Sequence, residues 1–297
     1  MRRAGRARAA GEIVEGRRIR RLEERDIDAA IALTDLEAWG YTREDFQRLL
    51  ALSPDGCFAA ERYGRVVGVL TTTTYDDLAF LGAVIVAPEL RGKGVGKEMM
   101  EAALAHLRAT GVRTVQLNAY LNAIPFYERL GFHREYEVIR WHGLAKAGER
   151  VRGIRPVRAE DLTGLARMDA KYFGANRQKL LARLAKEFPS TFLVAENRGR
   201  LRGFIVGNPS GASCEIGPWV VEPGSRRVAT DLYRALIDSA GASQVALSGP
   251  SQNGALLEFV SESRFKEVFR ALRMWWGANE FPGDPAGLWA VGGLEKG

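Results

Sequence analysis

Apolar positions in this chain switch repeatedly between the period of a strand and that of a helix. Residues 17–22 alternate as a strand, 26–38 and 42–52 are spaced as helices, and the second helix opens with Thr42 ahead of Glu44 and Asp45. Cys57–Tyr63 and Val66–Tyr75 read as two strands joined at Gly64-Arg65, a hairpin signal. Leu78–Val86 is almost wholly apolar, which predicts a strand buried on both faces and ended by Pro88. A helix over about 94–109 presents Val95, Met99, Ala103 and Leu107 to a core, and strand 112–118, a short helix near 122–129 and strand 131–141 follow. The second half repeats that order: strand 153–158, helices 161–172 and 176–187, strands 191–197, 200–207 and 213–221, helix 225–240, strand 243–248, helix 253–262 and strand 265–275. The Pro- and Gly-rich stretch 281–293 carries no assignable period. The fold class is α/β, a mixed sheet with helices, present twice.

A shift of 135 residues superimposes the halves without gaps over their first seventy or so positions. Ile19-Arg20 falls on Ile154-Arg155, Asp26 on Asp161, Ala60-Glu61 on Ala195-Glu196, Gly64 on Gly199, Gly68 on Gly203 and Val86-x-Pro88 on Val221-x-Pro223. An ordered series of this kind points to duplication. The expected organisation is a flexible basic tail over 1–16, one domain over 17–145 and a second over 152–297, joined where Gly143, Gly148 and Gly153 interrupt the pattern.

Composition excludes more than it selects. The 297 residues, 46% hydrophobic and 27% charged, suit about two ordinary globular domains, and no apolar run approaches the ~20 residues of a membrane helix. The first residues have no apolar stretch behind their arginines, so no membrane partner and a cytoplasmic location are expected. Cys57 and Cys214 lie in apolar runs and suit packing, and His106, His133 and His142 have no partners at metal-ligand spacing, so no metal is expected. The net charge of +7 is concentrated at the start, where residues 1–18 hold six arginines against Glu12 and Glu15. Nucleic acid is therefore not the expected partner, although an anionic ligand is welcome.

One loop carries distinctive chemistry. Between the apolar strand and its helix stands Arg91-Gly92-Lys93-Gly94-Val95-Gly96, followed by Lys97. A pyrophosphate needs backbone N–H groups that no Cβ obstructs, and a helix N-terminus adds its positive dipole end. Gly92, Gly94 and Gly96 supply the first requirement, while Arg91, Lys93 and Lys97 supply charge. A dinucleotide-binding loop would follow the first strand of a βαβ repeat, and a Walker loop would end in Gly-Lys-Ser/Thr; neither condition is met.

The pattern Arg91-x-x-Gly94-x-Gly96 after a buried strand resembles the acyl-coenzyme A motif of the GNAT N-acetyltransferase superfamily, and Ala123-Ile124-Pro125-Phe126-Tyr127-Glu128-Arg129-Leu130-Gly131-Phe132 is similar to the segment that closes that fold. The resemblance covers about 17–142 and implies two tandem GNAT-like folds, the second degenerate. It further implies acetyl-coenzyme A as co-substrate, pantetheine lying between the strands near 78–87 and 112–118, backbone groups around Val84 and Val86 pairing with its amides, and Tyr127 protonating the departing thiolate. Tyr120 stands where many members carry Asn, so that contact is not assigned. No glutamate lies on the apolar strand to serve as base; the nearest acids are Asp76 and Asp77, with Glu37 an alternative.

In the second half Arg226 falls on Arg91, but Arg227, Ala229 and Asp231 replace Gly92, Gly94 and Gly96, so no coenzyme is expected there. Glu215, Trp219, Trp275, Trp276 and Trp289 are candidates to line an acceptor cleft. The expected activity is transfer of acetyl to the primary amine of a small molecule, such as an amino sugar, amino acid or polyamine. The alternatives are a protein or peptide N-acetyltransferase and a non-catalytic acyl-coenzyme A sensor. The acceptor, the acyl chain preferred and the oligomeric state are not specified by sequence.

Overall fold

The computed structural model describes residues 16–145 and 148–297, so the basic tail expected over 1–16 falls, but for Gly16, outside the described residues. The chain divides into two compact units, one of residues up to Thr74 together with Leu81–Gly111, the other of Tyr75–Phe80 together with Val112–Gly297.

The elements follow the sequence pattern closely. The first half contains strand β1 (Arg17–Arg21), helices α1 (Ile27–Asp35) and α2 (Arg43–Leu52), strands β2 (Phe58–Arg62), β3 (Arg65–Tyr75) and β4 (Leu78–Val86), helix α3 (Val95–Ala109), strand β5 (Thr114–Tyr120), helix α4 (Ile124–Glu128) and strand β6 (His133–Leu144). The second contains β7 (Ile154–Pro156), α5 (Leu162–Phe173), α6 (Gln178–Glu187), β8 (Phe192–Asn197), β9 (Arg200–Ser210), β10 (Ser213–Val221), α7 (Arg226–Ala240), β11 (Gln244–Pro250), α8 (Gly254–Glu262) and β12 (Lys266–Gly277), with a short β13 (Leu288–Ala290) in the stretch that sequence left unassigned.

In the first unit β1 pairs antiparallel with β2, and β2 with β3. Their core joins Leu22, Ile27, Phe46, Leu49, Cys57, Val69 and Ile85, residues that the two periods place on inward faces. Helix α2 starts in a reciprocal cap: the Thr42 hydroxyl accepts from the Asp45 N–H, and the Asp45 carboxylate accepts from the Thr42 N–H.

The second unit holds the larger core, built around Trp219, Leu232, Leu236, Leu247, Phe259 and Trp289. Its strands run in the order β5-β12-β6-β11-β10-β9-β8-β7. This order shows an exchange. Strand β12, which closes the second repeat, pairs with β5 of the first from Ala271↔Tyr120 to Gly277↔Thr114. Strand β6, which closes the first repeat, pairs with β11 of the second from Gln244↔Leu144 to Pro250↔Val138. The two closing strands lie antiparallel to each other. The repeats are therefore not two self-contained sheets, because each has given its last strand to the other.

The duplication is visible in matched contacts. Arg20 pairs with Asp26 and Glu61, both at 2.6 Å, and Arg155 pairs with Asp161 at 2.7 Å and Glu196 at 2.6 Å. Another bond is kept with its partners interchanged: the Thr72 hydroxyl donates to the Gly56 carbonyl at 2.8 Å, and the Thr191 hydroxyl donates to the Gly207 carbonyl at 2.7 Å, with Gly56 equivalent to Thr191 and Thr72 to Gly207.

Candidate functional site

Gly92 and Gly94 both have positive φ, 73° and 83°, and Gly94 is the N-cap of α3 in the left-handed conformation. A Cβ at Gly92 would meet nothing within 4 Å, and one at Gly94 only Glu98 Oε1 at 3.8 Å. The glycines thus make the backbone turn without being packed against protein, and the space before the helix is left open. No side chain caps Gly94, so the first N–H groups of α3 face that space with the dipole behind them. Gly96 lies within the first turn of α3. The loop is held from outside. Arg17 donates to the Lys93 carbonyl at 2.8 Å and pairs with Glu98 at 3.0 Å, while Lys97 pairs with Glu101 at 3.6 Å. Arg91 donates from Nε to the Val86 carbonyl at 2.9 Å and from Nη2 to Glu37 at 2.7 Å. Glu37, one of the acids considered as a base, is therefore the counter-ion of the loop arginine.

Strand β4 has nine residues, but its parallel ladder with β5 comprises only Leu78↔Thr114, Ala79↔Val115 and Phe80↔Gln116. Beyond that ladder Ala83 adopts φ of 46°, a left-handed kink that an alanine accepts only at a cost of about 1–2 kcal/mol. Val84 and Val86 follow it and are half-buried.

In the second repeat the equivalent place differs in its loop and in its sheet. Arg226 is bound by two carboxylates of α8, Glu258 at 2.8 Å and Glu262 at 2.5 Å, Ala229 is fully buried, and Arg227 pairs with Asp231 at 3.7 Å. Strand β10 pairs with β11 as far as Ile216↔Leu247 and thereafter with β13, at Trp219↔Ala290 and Val220↔Leu288. The Val291 N–H donates to the Ser248 carbonyl of β11 at 2.8 Å, and the Asn253 side chain donates to the Leu288 carbonyl at 2.8 Å. Residues 288–291 thus bridge β10 and β11 where, in the first repeat, the resemblance puts pantetheine.

Tyr127 lies in α4, is buried, and packs edge-on against Phe126 at 5.1 Å and Phe132 at 5.8 Å. Burial alone pushes its phenol above the ordinary range, so it stays protonated at neutral pH. Asp76 and Asp77 form the exposed turn before β4, with Asp76 at φ of 53°. The Asp77 carboxylate pairs with Arg113 at 3.0 Å, and its carbonyl accepts from the N–H groups of Arg113 and Thr114. The structure thus gives Asp77 the work of closing a turn, at the end of β4 remote in sequence from Val86. Both cysteines are free and buried, with thiols pushed up to about 12, which suits packing and not nucleophilic attack.

The tryptophans divide. Trp219 and Trp289, with ring centroids 5.0 Å apart, belong to the core and present no surface to a ligand. Trp275 lies against His133 at 4.5 Å, and Trp276 beside Gly131. Glu215 is bound through both oxygens to Arg140. A cluster that sequence reasoning missed lies in the second unit: Asp169, Arg177 and Arg273, each 0% exposed. Arg273 interrupts the apolar run Ala271-Leu272-Arg273-Met274, and a charge in such a run was the signal available.

Known proteins resemble this chain in both halves. The family model described as the acetyltransferase (GNAT) family matches residues 22–132, and an acetyltransferase (GNAT) domain model matches 165–290. The chain is similar to holothin acyltransferase from Pseudoalteromonas sp., 24% identical over 265 residues and 88% of each chain. It is also similar to mycothiol acetyltransferase from Thermobispora bispora, 36% identical over 145 residues, 42% of this chain and 49% of that one. A crystal structure of a candidate acetyltransferase from Pyrococcus horikoshii superimposes with a TM-score of 0.83 at 24% identity, over 99% of this chain and 100% of that one. Among the described residues no helix is long and apolar enough to cross a membrane. With a GNAT model matched in each half and one open glycine loop between β4 and α3, the chain belongs to the GNAT acetyltransferases as a tandem member and is an acyltransferase.

Proposed function

We propose that the protein transfers an acetyl group from acetyl-coenzyme A to the primary amine of a small molecule, by direct attack in a ternary complex. The observation that carries this reading is the contrast between the repeats: the ladder of β4 with β5 stops at Phe80↔Gln116, whereas beyond Ile216↔Leu247 residues 288–291 bridge β10 and β11. In the first repeat Gly92, Gly94 and Gly96 offer main-chain donors to the pyrophosphate, with Arg91, Lys93 and Lys97 supplying charge, and Val84 and Val86 line the pantetheine. The Val86 carbonyl already accepts from Arg91, so Val84 carries the larger part of that pairing.

In the reaction the amine nitrogen bonds to the thioester carbon, the C–S bond breaks, and the sulfur takes the proton of the Tyr127 hydroxyl. Burial holds this phenol above its reference ~10, so it is a weaker acid than usual, protonated and available to the departing thiolate. The attacking nitrogen loses its excess proton to water, and water returns a proton to the Tyr127 phenolate, leaving amide, free thiol and neutral phenol. Asp76 and Asp77 take no part in this reading, since they are turn residues exposed to solvent. The test is an amine screen that follows release of the coenzyme thiol. Turnover on one class of small amine, lost in Gly94→Glu, supports the reading. Turnover confined to protein substrates, or none on any amine while acetyl-coenzyme A binds, overturns it.

A further inference from the structure

Arg17, on β1, takes no part in the reaction as proposed, yet it is tied to the loop before α3 at two points. Its side chain is only 11% exposed. Nη1 donates to the Lys93 carbonyl at 2.8 Å, and Nη2 donates to Glu98 Oε1 at 3.0 Å. A guanidinium presents its donors in a rigid planar fork, so the two acceptors are held in one geometry. The first of them sets the direction of a peptide plane. Among the described residues no main-chain N–H donates to the Lys93 carbonyl; the ladder of α3 begins one residue later, with the Glu98 N–H on the Gly94 carbonyl at 3.0 Å. In a trans peptide the C=O and N–H point in opposite directions, so a Lys93 carbonyl turned to Arg17 turns the Gly94 N–H away from it. Gly94, at φ of 83°, imposes no Cβ restraint on that plane, and without Arg17 the plane is free to rotate and present its carbonyl to an anion.

The second acceptor is a charge that an anion would otherwise meet. Glu98 Oε1, the atom that Arg17 engages, is also the one that stands 3.8 Å from the Cβ position of Gly94, at the edge of the open space before α3. An unpaired carboxylate there repels a pyrophosphate, and Arg17 supplies the opposite charge. The clip is absent from the second repeat. The shift of 135 residues places Arg152, Val228 and Tyr233 on Arg17, Lys93 and Glu98, and of these Arg152 is exposed while Tyr233 belongs to the core. The pairing of Arg20 with Asp26 and Glu61 is, by contrast, matched by that of Arg155 with Asp161 and Glu196. A contact that serves the fold is thus kept in both repeats, whereas the Arg17 clip goes with the open glycine loop.

We propose that Arg17 is a positioning residue of the coenzyme site, which aims the Gly94 N–H at the pyrophosphate through the Lys93 carbonyl and cancels the charge of Glu98 beside it. The proposal rests on the reading that acetyl-coenzyme A binds before α3. Arg17 acts through Lys93 and Glu98, not by contact with the coenzyme. The sequence pattern of the loop does not contain it, because Arg17 lies 76 residues before Lys93.

The test is calorimetric titration of acetyl-coenzyme A into the full-length wild type, Arg17→Met, Glu98→Gln and the double variant. Methionine keeps the apolar stem of Arg17 and removes the fork. Arg17→Met is expected to weaken binding by about tenfold or more, since it leaves a carboxylate unpaired beside the phosphates and a peptide plane free. Glu98→Gln alone is expected to stay within about threefold of wild type, because it removes a charge that Arg17 already cancels. The double variant is expected to bind at least about threefold more tightly than Arg17→Met, because the repulsion is gone; a residue that only supported the fold would give no such rescue. Where Arg17→Met does not fold, Arg17→Gln, which keeps a donor for the Lys93 carbonyl without the charge, carries the same comparison. Binding by Arg17→Met within about threefold of wild type, or a double variant no tighter than Arg17→Met, overturns the proposal while leaving the coenzyme site in place. Absence of binding by the wild type overturns the acetyl-coenzyme A reading and the proposal with it, so the two failures are told apart.

Discussion

Replacing Tyr127 by Phe removes one hydroxyl and leaves the ring. The contacts with Phe126 and Phe132 are made by the ring, and the packing of α4 is therefore retained. On the proposed mechanism the chemistry is not retained, because the departing thiolate then has to find its proton in water. A positioned general acid contributes about 10²–10⁴-fold. Burial has made this phenol a weaker acid than usual, which places it at the lower end, at a loss of about 10²-fold in kcat or about 2.7 kcal/mol of barrier. The assay is steady-state release of coenzyme A by the Phe variant beside the wild type, with KM for acetyl-coenzyme A measured in parallel. The expected result is a fall in kcat with KM unchanged and an unaltered thermal midpoint. The sign of the shift fixes the pH behaviour as well. A phenol raised above its ordinary ~10 stays protonated, so the wild type shows no loss of its acid below about pH 10. A kcat within threefold of wild type, or a change confined to KM, would refute the assignment.

Further outcomes follow from the same contacts. Asp169→Asn leaves the charge of Arg177 buried without its partner, and urea unfolding is expected to show a loss of about 3–5 kcal/mol; a loss below 1 kcal/mol would mean that the pair is hydrated. The carboxyls of Asp26 and Asp161 are both held below their ordinary range. Burial opposes this most strongly at Asp26 but is outweighed by Arg20 and main-chain bonds, and at Asp161 the bond from Arg155 is the largest cause. A depressed folded value means stability that is present above the unfolded value of ~3.9 and lost as pH falls through the folded one. Thermal midpoints between pH 5 and 2 should therefore fall less steeply in Asp161→Asn than in wild type, and parallel curves would contradict the linkage. The double change Asp76→Asn with Asp77→Asn is expected to leave kcat/KM within about threefold, whereas a hundredfold loss would return the base to that turn.

Local pattern made most elements legible. Leu78–Val86 was readable as a buried strand because nine consecutive residues without a polar side chain leave no solvent face, and the loop before α3 was readable as a turn because three glycines stand within five positions. The kink at Ala83 was not readable, since an alanine at φ of 46° looks in sequence like any other alanine. Periodicity names a strand without naming its neighbour, so the exchange of β6 and β12 was equally hidden. Residues 288–291 lie in the stretch that carries no period, yet they bridge β10 and β11 through main-chain groups, which leave little trace in side-chain pattern. The pair Asp169–Arg177 was missed for a related reason: a charge on α5 and one eight residues on, just before α6, carry no sign of burial until tertiary packing brings them together.

The central claim is that one repeat binds acetyl-coenzyme A and the other is silent. Calorimetric titration of acetyl-coenzyme A, at moderate salt, into the intact protein and into Gly94→Glu tests it most directly, because the added carboxylate enters the open space before α3 where the pyrophosphate is to lie. The account predicts one equivalent bound by the intact protein and none by the variant. Two equivalents, none in the intact protein, or one that survives Gly94→Glu would contradict it.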